Sequence, residues 1–382
     1  MTFDPVPFHV PYRTGQEEEN VAAALAAGSL AGNGTWTAQC QRALESLTGA
    51  PRVLLTHSCT AALELAAMLC GWGPGDEVIV PSFAFTSTAA AVARTGATLV
   101  FAEVDPSTMM LDLDDVARRI SPKTRGIVPI HYAGLAAPLA RLRELAEQHD
   151  LDLIEDAAQS IDARWHGEHL GTFGRFGCLS FHETKNIHCG LGGALIINDP
   201  PDIESAEFTW ERGTNRSQFV RGMVDKYTWM RVGSSFYPSE MQAAFLSAQL
   251  DGLRANTSAR NAVGHAYDRA LSELFASRGA ETRTLPRALS TNTHAWFVVL
   301  ASQEEAEALR LFAAARQVAL YSHYVPLHSS PVAAGLGFAA SDLPTTESAA
   351  KRLLRLPVHT ALTDSDVARV IEVVRAFYDQ RS

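Results

Sequence analysis

Basic residues are in deficit. Of 382 residues, 32 are Lys or Arg against 42 Asp or Glu, a net charge of −10, and lysine is scarce beside arginine and alanine. No long basic run offers itself to a nucleic-acid backbone, so that class of partner is not expected. Long apolar runs are missing as well: nowhere do about 18 apolar residues follow one another, the length of a membrane span. Met1 to Pro11 carries neither the basic nor the apolar segment of a secretion signal, and the expected location is cytoplasmic. The five cysteines (Cys40, Cys59, Cys70, Cys178, Cys189) are odd in number and contain no C-x-x-C pair. They read as reduced thiols, not as a disulfide framework or a zinc site. His166-Gly167-Glu168-His169 lacks zinc-ligand spacing, and no metal is expected. There is no repeat of fixed period and no low-complexity segment.

What is present is a core. Hydrophobic residues make up 47% of the chain, enough for one large and one smaller domain. From about residue 50, short apolar runs alternate with helical patterns. Strands are expected at Val53 to Leu55, Glu77 to Val80, Thr98 to Glu103, Gly126 to Ile130, Leu151 to Glu155, Cys178 to Phe181 and Ala194 to Ile197. Helices are expected at Thr60 to Cys70, Thr86 to Arg94, Leu113 to Ile120 and Leu139 to Gln148. Such alternation predicts an α/β, doubly wound, mostly parallel sheet over residues 1–250. Near residue 250 the pattern changes. A long helix over Leu250 to Leu274, a strand over Thr293 to Leu300 and helices at Glu304 to Arg316 and Val367 to Tyr378 predict a small α+β domain over residues 251–382. The polar, aromatic stretch from Arg212 to Pro238 is long for an internal loop, which marks function or an interface.

Two strand ends carry chemistry. Leu151 to Ile154 delivers Glu155-Asp156 and then Gln159; Cys178 to Phe181 delivers Lys185, with Gly190, Gly192 and Gly193 behind it. Ligands of doubly wound sheets sit at the carboxyl ends of strands. An amine, an anion and a glycine-rich turn at such ends suit pyridoxal phosphate. Lys185 is the nucleophile for its aldehyde, a role that burial favours by lowering an amine's pKa. Asp156 keeps the ring nitrogen protonated, so the ring withdraws electrons. Gln159 reaches the ring hydroxyl, and Thr60 and Ser180 are short hydroxyl donors for phosphate.

The chain also resembles the DegT/DnrJ/EryC1/StrS sugar-nucleotide aminotransferases. The resemblance covers nearly the whole chain. It rests on Leu54-Leu55-Thr56-His57-Ser58-Cys59-Thr60-Ala61, Gly75-Asp76-Glu77-Val78-Ile79-Val80-Pro81-Ser82 and Val128-Pro129-Ile130-His131-Tyr132-Ala133-Gly134, which are common across the group. Ser180-Phe181-His182-Glu183-Thr184-Lys185-Asn186 and Gly213-Thr214-Asn215-Arg216-Ser217-Gln218-Phe219 are similar to the branch that makes dTDP-4-amino-4,6-dideoxygalactose. The resemblance implies the fold-type-I, aspartate-aminotransferase-like architecture and a homodimer with active sites at the interface. It implies pyridoxal 5'-phosphate held covalently on Lys185, with Asp156 and Gln159 on the ring and Ser180 on the phosphate. Cys59 and Thr60 match the phosphate cup at a helix N-terminus, and Phe85 the aromatic that stacks on the ring. The implied reaction moves an amino group from L-glutamate to C4 of dTDP-4-dehydro-6-deoxy-D-glucose, giving a galacto or gluco dTDP-4-amino-4,6-dideoxyhexose and 2-oxoglutarate. Amination at C3 is the alternative.

The sequence departs from the family twice. Gly190-Leu191-Gly192-Gly193 stands where Gly-Glu-Gly-Gly is common, and Gly233-Ser234-Ser235-Phe236-Tyr237 where Gly-x-Asn-Tyr-Arg is common. Ser235 would replace the Asn that reaches the partner subunit's phosphate. Candidate sugar and diphosphate contacts are Asn33, His131, Arg216, Lys226, His323 and His328. Three rival readings remain. In a dehydratase of the same fold a histidine replaces the lysine, so Lys185 opposes it. A non-catalytic binding or regulatory protein would not need both Lys185 and Asp156. The glycines of Gly171 to Gly177 precede a strand instead of opening a helix, so the dinucleotide fingerprint fails.

Overall fold

A computed structural model describes residues 4–281 and 288–381. Its centre is a seven-stranded sheet of β1 (Arg52–Thr56), β2 (Glu77–Pro81), β3 (Thr98–Ala102), β4 (Thr124–Ile127), β5 (Asp152–Asp156), β6 (Phe176–Ser180) and β7 (Gly193–Ile197). Their order across the sheet is β1-β7-β6-β5-β4-β2-β3. Strand β7 runs against both its neighbours, and the other pairs are parallel. The fold is therefore the α/β, mostly parallel architecture expected. Parallel strands buried on both faces read as continuous apolar runs, which is why Val78–Val80 and Leu153–Ile154 were visible as strands.

Helices α1 (Cys59–Cys70) and α2 (Thr86–Thr95) follow β1 and β2 directly. Helix α1 is apolar almost all round, and Leu63, Leu65, Ala66, Ala67 and Leu69 are buried in the main core, as expected of a helix in the interior of a large protein. It starts sharply because Ser58 is extended and its side chain accepts the Ala61 N–H (3.1 Å), a standard N-cap. It stops at Gly71, left-handed at φ 73°.

A second apolar cluster gathers α3 (Leu253–Ser277), β8 (Trp296–Val299), β9 (Leu353–Leu356), the helix Gln303–Ala314 and α4 (Asp364–Asp379). Alternation along β8 divides its side chains: Trp296 and Val298 enter this cluster, while Phe297 and Val299 enter the main core. One strand thus fastens the two cores together. Val6, near the start of the chain, also packs in the second cluster and bridges Val318. The strand expected from Thr293 begins only at Trp296. Thr293 has φ 40° and its carbonyl accepts from Arg260 Nε, so the backbone there is a turn. Among the described residues no helix is long and apolar enough to cross a membrane.

Gly193, the first residue of β7, faces both Thr56 and Ser180 across the sheet. A Cβ there would lie 2.5 Å from the Cys59 nitrogen and 2.5 Å from the Ser58 carbonyl carbon, both rigid backbone. Gly193→Ala is expected to push the start of α1 away from the sheet and to destabilise the protein by about 1–3 kcal/mol. Chemical denaturation checks this, and an unchanged midpoint would contradict the close packing.

Candidate active site

The carboxyl ends of β1, β2, β5 and β6 open onto one cavity of about 770 Å³. Its wall includes Cys59, Thr60, Phe85, Asp156, Gln159, Ser180, Lys185 and His323, all expected from the sequence.

At the end of β1 the first N–H groups of α1 have no intrahelical acceptor. Ser58 takes that of Ala61, which leaves those of Cys59 and Thr60 for an anion, with the helix dipole behind them. Thr60 Oγ1 lies 2.7 Å from Ser87 Oγ, tying the tops of α1 and α2 together. Ser180, the last residue of β6, is buried on the same wall. Burial pushes the Cys59 thiol up, so it stays neutral.

The acidic pair at the end of β5 splits by strand alternation. Asp156 is on the cavity wall, accepting from Thr88 Oγ1 (2.7 Å) and from the Ala158 N–H (3.1 Å). Glu155 is fully buried elsewhere. Its two oxygens accept the N–H groups of Gly171 (2.9 Å), Phe173 (2.7 Å) and Gly174 (2.7 Å) and pair with His131 Nε2 (2.7 Å). Burial opposes its ionisation, but the His131 hydrogen bond and these N–H groups outweigh it and hold the carboxyl below its usual range. The glycines before β6 therefore serve as a carboxylate cup. Gln159 is fixed at both ends: Oε1 accepts the Ala133 N–H (2.6 Å) and Nε2 donates to Tyr324 Oη (3.1 Å).

Lys185 sits in the turn after β6, its N–H donating to the His182 carbonyl. Burial lowers its pKa, although Cys59 and Asp156 pull the other way, so more of the amine is neutral and nucleophilic. Phe85 precedes α2 in extended backbone. At 59% exposed, it is a large aromatic face left uncovered on the cavity wall. His323 is neutral, since burial lowers its pKa to about 2. Its ring stacks on Tyr324 at 3.7 Å between centroids, and Nδ1 meets Tyr132 Oη at 2.8 Å.

Other candidates lie off this wall. His131 and His328 are fully buried. The first is held between Glu155 and the Ala137 N–H, the second between Ser82 (2.6 Å) and Glu347, so neither reaches a substrate. These two expectations are corrected: each histidine's ring nitrogens serve the packing of loops behind the cavity. Arg216 is paired with the buried Glu211 (2.7 Å), to which Asn33 also donates (3.4 Å). Lys226 is exposed. Ser235 is exposed too and bridges Glu211, away from the cavity of its own chain. Ser87, His294, Tyr324 and Arg355 line the cavity and were not expected. Thr88, three residues after Phe85 and so on the same face of α2, was a signal that could have been used.

The donor set fits pyridoxal phosphate: a helix N-terminus with hydroxyls for the phosphate, a buried amine for the aldehyde, a carboxylate for the ring nitrogen and an uncovered aromatic face for the ring. The model of the DegT/DnrJ/EryC1/StrS aminotransferase family matches residues 11–375. The dTDP-3-amino-3,4,6-trideoxy-alpha-D-glucose transaminase of Streptomyces venezuelae is 34% identical over 321 residues, 84% of this chain and 81% of that protein. A pleiotropic regulatory protein of Geobacillus stearothermophilus is 33% identical over 319 residues, 83% of this chain and 82% of the relative. Among solved structures, DesV of S. venezuelae in complex with a ketimine intermediate superposes with a TM-score of 0.89 at 31% identity, covering 98% of this chain and 99% of that one. The aminotransferase TlmJ from Streptoalloteichus hindustanus gives a TM-score of 0.89 at 30% identity, covering 99% and 100%.

The Glu155 cup has a pH signature. A carboxyl whose pKa is depressed by folding adds stability above its unfolded value of about 4.3 and loses it as pH falls further. Glu155→Gln is expected to destabilise the protein by roughly 3 kcal/mol at neutral pH. It should also make the denaturation midpoint less sensitive to pH below about 5. Denaturation curves of both proteins across that range provide the check.

Proposed function

This chain belongs to the DegT/DnrJ/EryC1/StrS aminotransferase family, and from that membership we propose that it moves an amino group from L-glutamate to C4 of dTDP-4-dehydro-6-deoxy-D-glucose. It is a pyridoxal-phosphate-dependent sugar aminotransferase. The observation that carries the residue assignment is the meeting of Lys185 and Asp156, from two different strand ends, on one cavity wall.

When bound, pyridoxal phosphate supplies an aldehyde and an electron-withdrawing ring that stores the amino group between donor and acceptor. The residues then divide the work. The Cys59 and Thr60 N–H groups, with the Thr60 and Ser180 hydroxyls, hold the phosphate. Asp156, fixed by Thr88, keeps a proton on the ring nitrogen. Gln159 orients the ring hydroxyl. Phe85 would offer its face to the ring and keep water from it. Lys185 would take a proton from the donor's α-carbon and later deliver one to the sugar carbon.

C4 as the position of amination is supported by the branch strings Ser180–Asn186 and Gly213–Phe219. The C3 reading is favoured by one finding, the 34% identity to a dTDP-3-amino-3,4,6-trideoxy-glucose transaminase. A homodimer is supported by the exposed apolar side chains of Val220, Met223, Trp229, Met230 and Val232. A patch of this kind marks an interface, and Ser235 beside it would then serve the partner's phosphate.

Lys185→Ala is expected to lower turnover by about 10³-fold or more and to abolish the visible absorbance change on adding L-glutamate, with the fold retained. Substantial turnover in that variant would sink the assignment. NMR of the wild-type product decides between C4 and C3, and its coupling constants between galacto and gluco. Trp229→Asp is expected to shift the sedimenting species from dimer to monomer; a monomeric wild type would overturn the dimer.

A further inference from the structure

The residues just before Lys185 are thinly held. Glu183 and Thr184 are exposed, and the bonds within the turn are local. The Glu183 N–H donates to the Gly190 carbonyl (2.9 Å), the Lys185 N–H to that of His182 (2.9 Å), and the Thr184 N–H to His182 Nδ1 (3.2 Å). After the lysine the chain is fixed from outside: Asn256 Nδ2 donates to the Asn186 carbonyl (2.7 Å) and Asn186 Nδ2 to that of Asn292 (3.0 Å). Among the described residues, one hydrogen bond from outside the turn reaches residues 183–185. His9 Nε2 meets the Glu183 carbonyl at 3.0 Å. A carbonyl only accepts, so Nε2 carries the proton.

His9 belongs to a strap. At one end Val6 is buried in the second cluster and its N–H donates to the Gln317 carbonyl (2.8 Å), while His359 Nε2 donates to the Pro7 carbonyl (2.9 Å). Phe8 and His9 then pass along the cavity wall. Phe8 meets Tyr321 edge-on (4.8 Å between centroids) and lies under the guanidinium of Arg355, 5.0 Å from the ring centroid, a side chain with which no carboxylate pairs among the described residues. At the far end the Tyr12 carbonyl accepts from His188 Nε2 (2.8 Å) and Gln249 Nε2 (3.0 Å). The lysine turn is therefore stapled twice, in opposite senses. A strap histidine donates to its backbone at Glu183, and its own histidine, three residues after Lys185, donates to the strap at Tyr12. Burial lowers the pKa of both rings, so at neutral pH they add no charge beside the lysine.

We propose that His9 is a positioning residue: from the N-terminal strap it fixes the turn that aims the Lys185 amine at the carbon it deprotonates. This rests on the aminotransferase reading of the same cavity. Lys185 moves a proton in both half-reactions, so both depend on where its turn stands. Misplacing a reacting group by about 1 Å costs on the order of 100-fold in rate. His9 is 174 residues from Glu183 along the chain, so no local pattern announces the contact.

The test separates the two half-reactions of the holoenzyme. In the donor arm, L-glutamate is added without sugar and the cofactor absorbance is followed, with ordinary and with α-deuterated glutamate. In the acceptor arm, enzyme already aminated is mixed with the keto sugar nucleotide. For His9→Ala the expected result is a fall of about 10- to 100-fold in the limiting rate of both arms, with the apparent affinities for glutamate and sugar nucleotide unchanged. The rate difference between ordinary and deuterated glutamate should grow, and the amides of residues 181–190 should exchange faster with solvent. His9→Gln returns an N–H at the reach of Nε2 and is expected to recover most of the rate. His9→Asn is polar but too short for Glu183, and it carries the test should the alanine variant not retain the cofactor spectrum. Unchanged limiting rates in both short variants would overturn the proposal. So would a loss confined to the acceptor arm, which would make His9 a sugar contact, or a loss with an unchanged isotope effect, which would leave the strap a packing element alone. A wild type aminated by no amino acid would instead overturn the aminotransferase reading itself.

Discussion

A single buried carboxylate holds the floor of the cavity in place. Glu155 has no exposure, and three backbone N–H groups and one histidine converge on it. An isolated charge in that position would cost several kcal/mol; four donors make it tolerable and fix everything they belong to. The turn before β6 is clamped to the end of β5, so the two strands that present Asp156 and Ser180 keep their register. His131, held on its other side by the Ala137 N–H, clamps the loop after β4, which in turn donates the Ala133 N–H to Gln159. The position of the residues facing a cofactor is thus decided by a residue that faces away from it.

The cavity's electrostatics follow from the same economy of charge. Asp156 is the one carboxylate on the wall among the described residues. The histidines His294 and His323 are driven neutral by burial, and the thiols of Cys59 and Cys178 stay protonated for the same reason. What remains is a helix N-terminus, a lysine of lowered pKa and two arginines, Arg260 and Arg355, inside a chain whose net charge is −10. A local positive field in an acidic protein draws anions to one place.

Much of this was legible in the sequence, for a specific reason. Parallel strands announce themselves as apolar runs, and ligands gather at their carboxyl ends, so Asp156, Gln159, Ser180 and Lys185 could be placed without coordinates. Arg355 could not. Its strand, Leu353–Leu356, pairs with Trp296–Val299, and only the packing of the second cluster against the first brings it to the cavity. His294 and Tyr324 arrive by the same route. His131 and His328 were misread because nothing in a sequence distinguishes a histidine that serves a ligand from one that satisfies a buried carboxylate or hydroxyl. The Glu155-Asp156 pair shows the complementary gain: two adjacent acids looked like one feature, and strand alternation made them two, one structural and one facing the site.

Leu191 completes the argument about charge. It is half-exposed on the cavity wall, held by its carbonyl, which accepts from Gln242 Nε2 at 2.7 Å, and it stands where family members commonly carry glutamate. A carboxylate there would have been a second anion on a wall that already carries Asp156. It would have offered the cations of the wall a competing partner. Leucine removes that competitor and adds an apolar surface to the wall. The substitution therefore strengthens the same property that leaves Arg355 without a carboxylate partner.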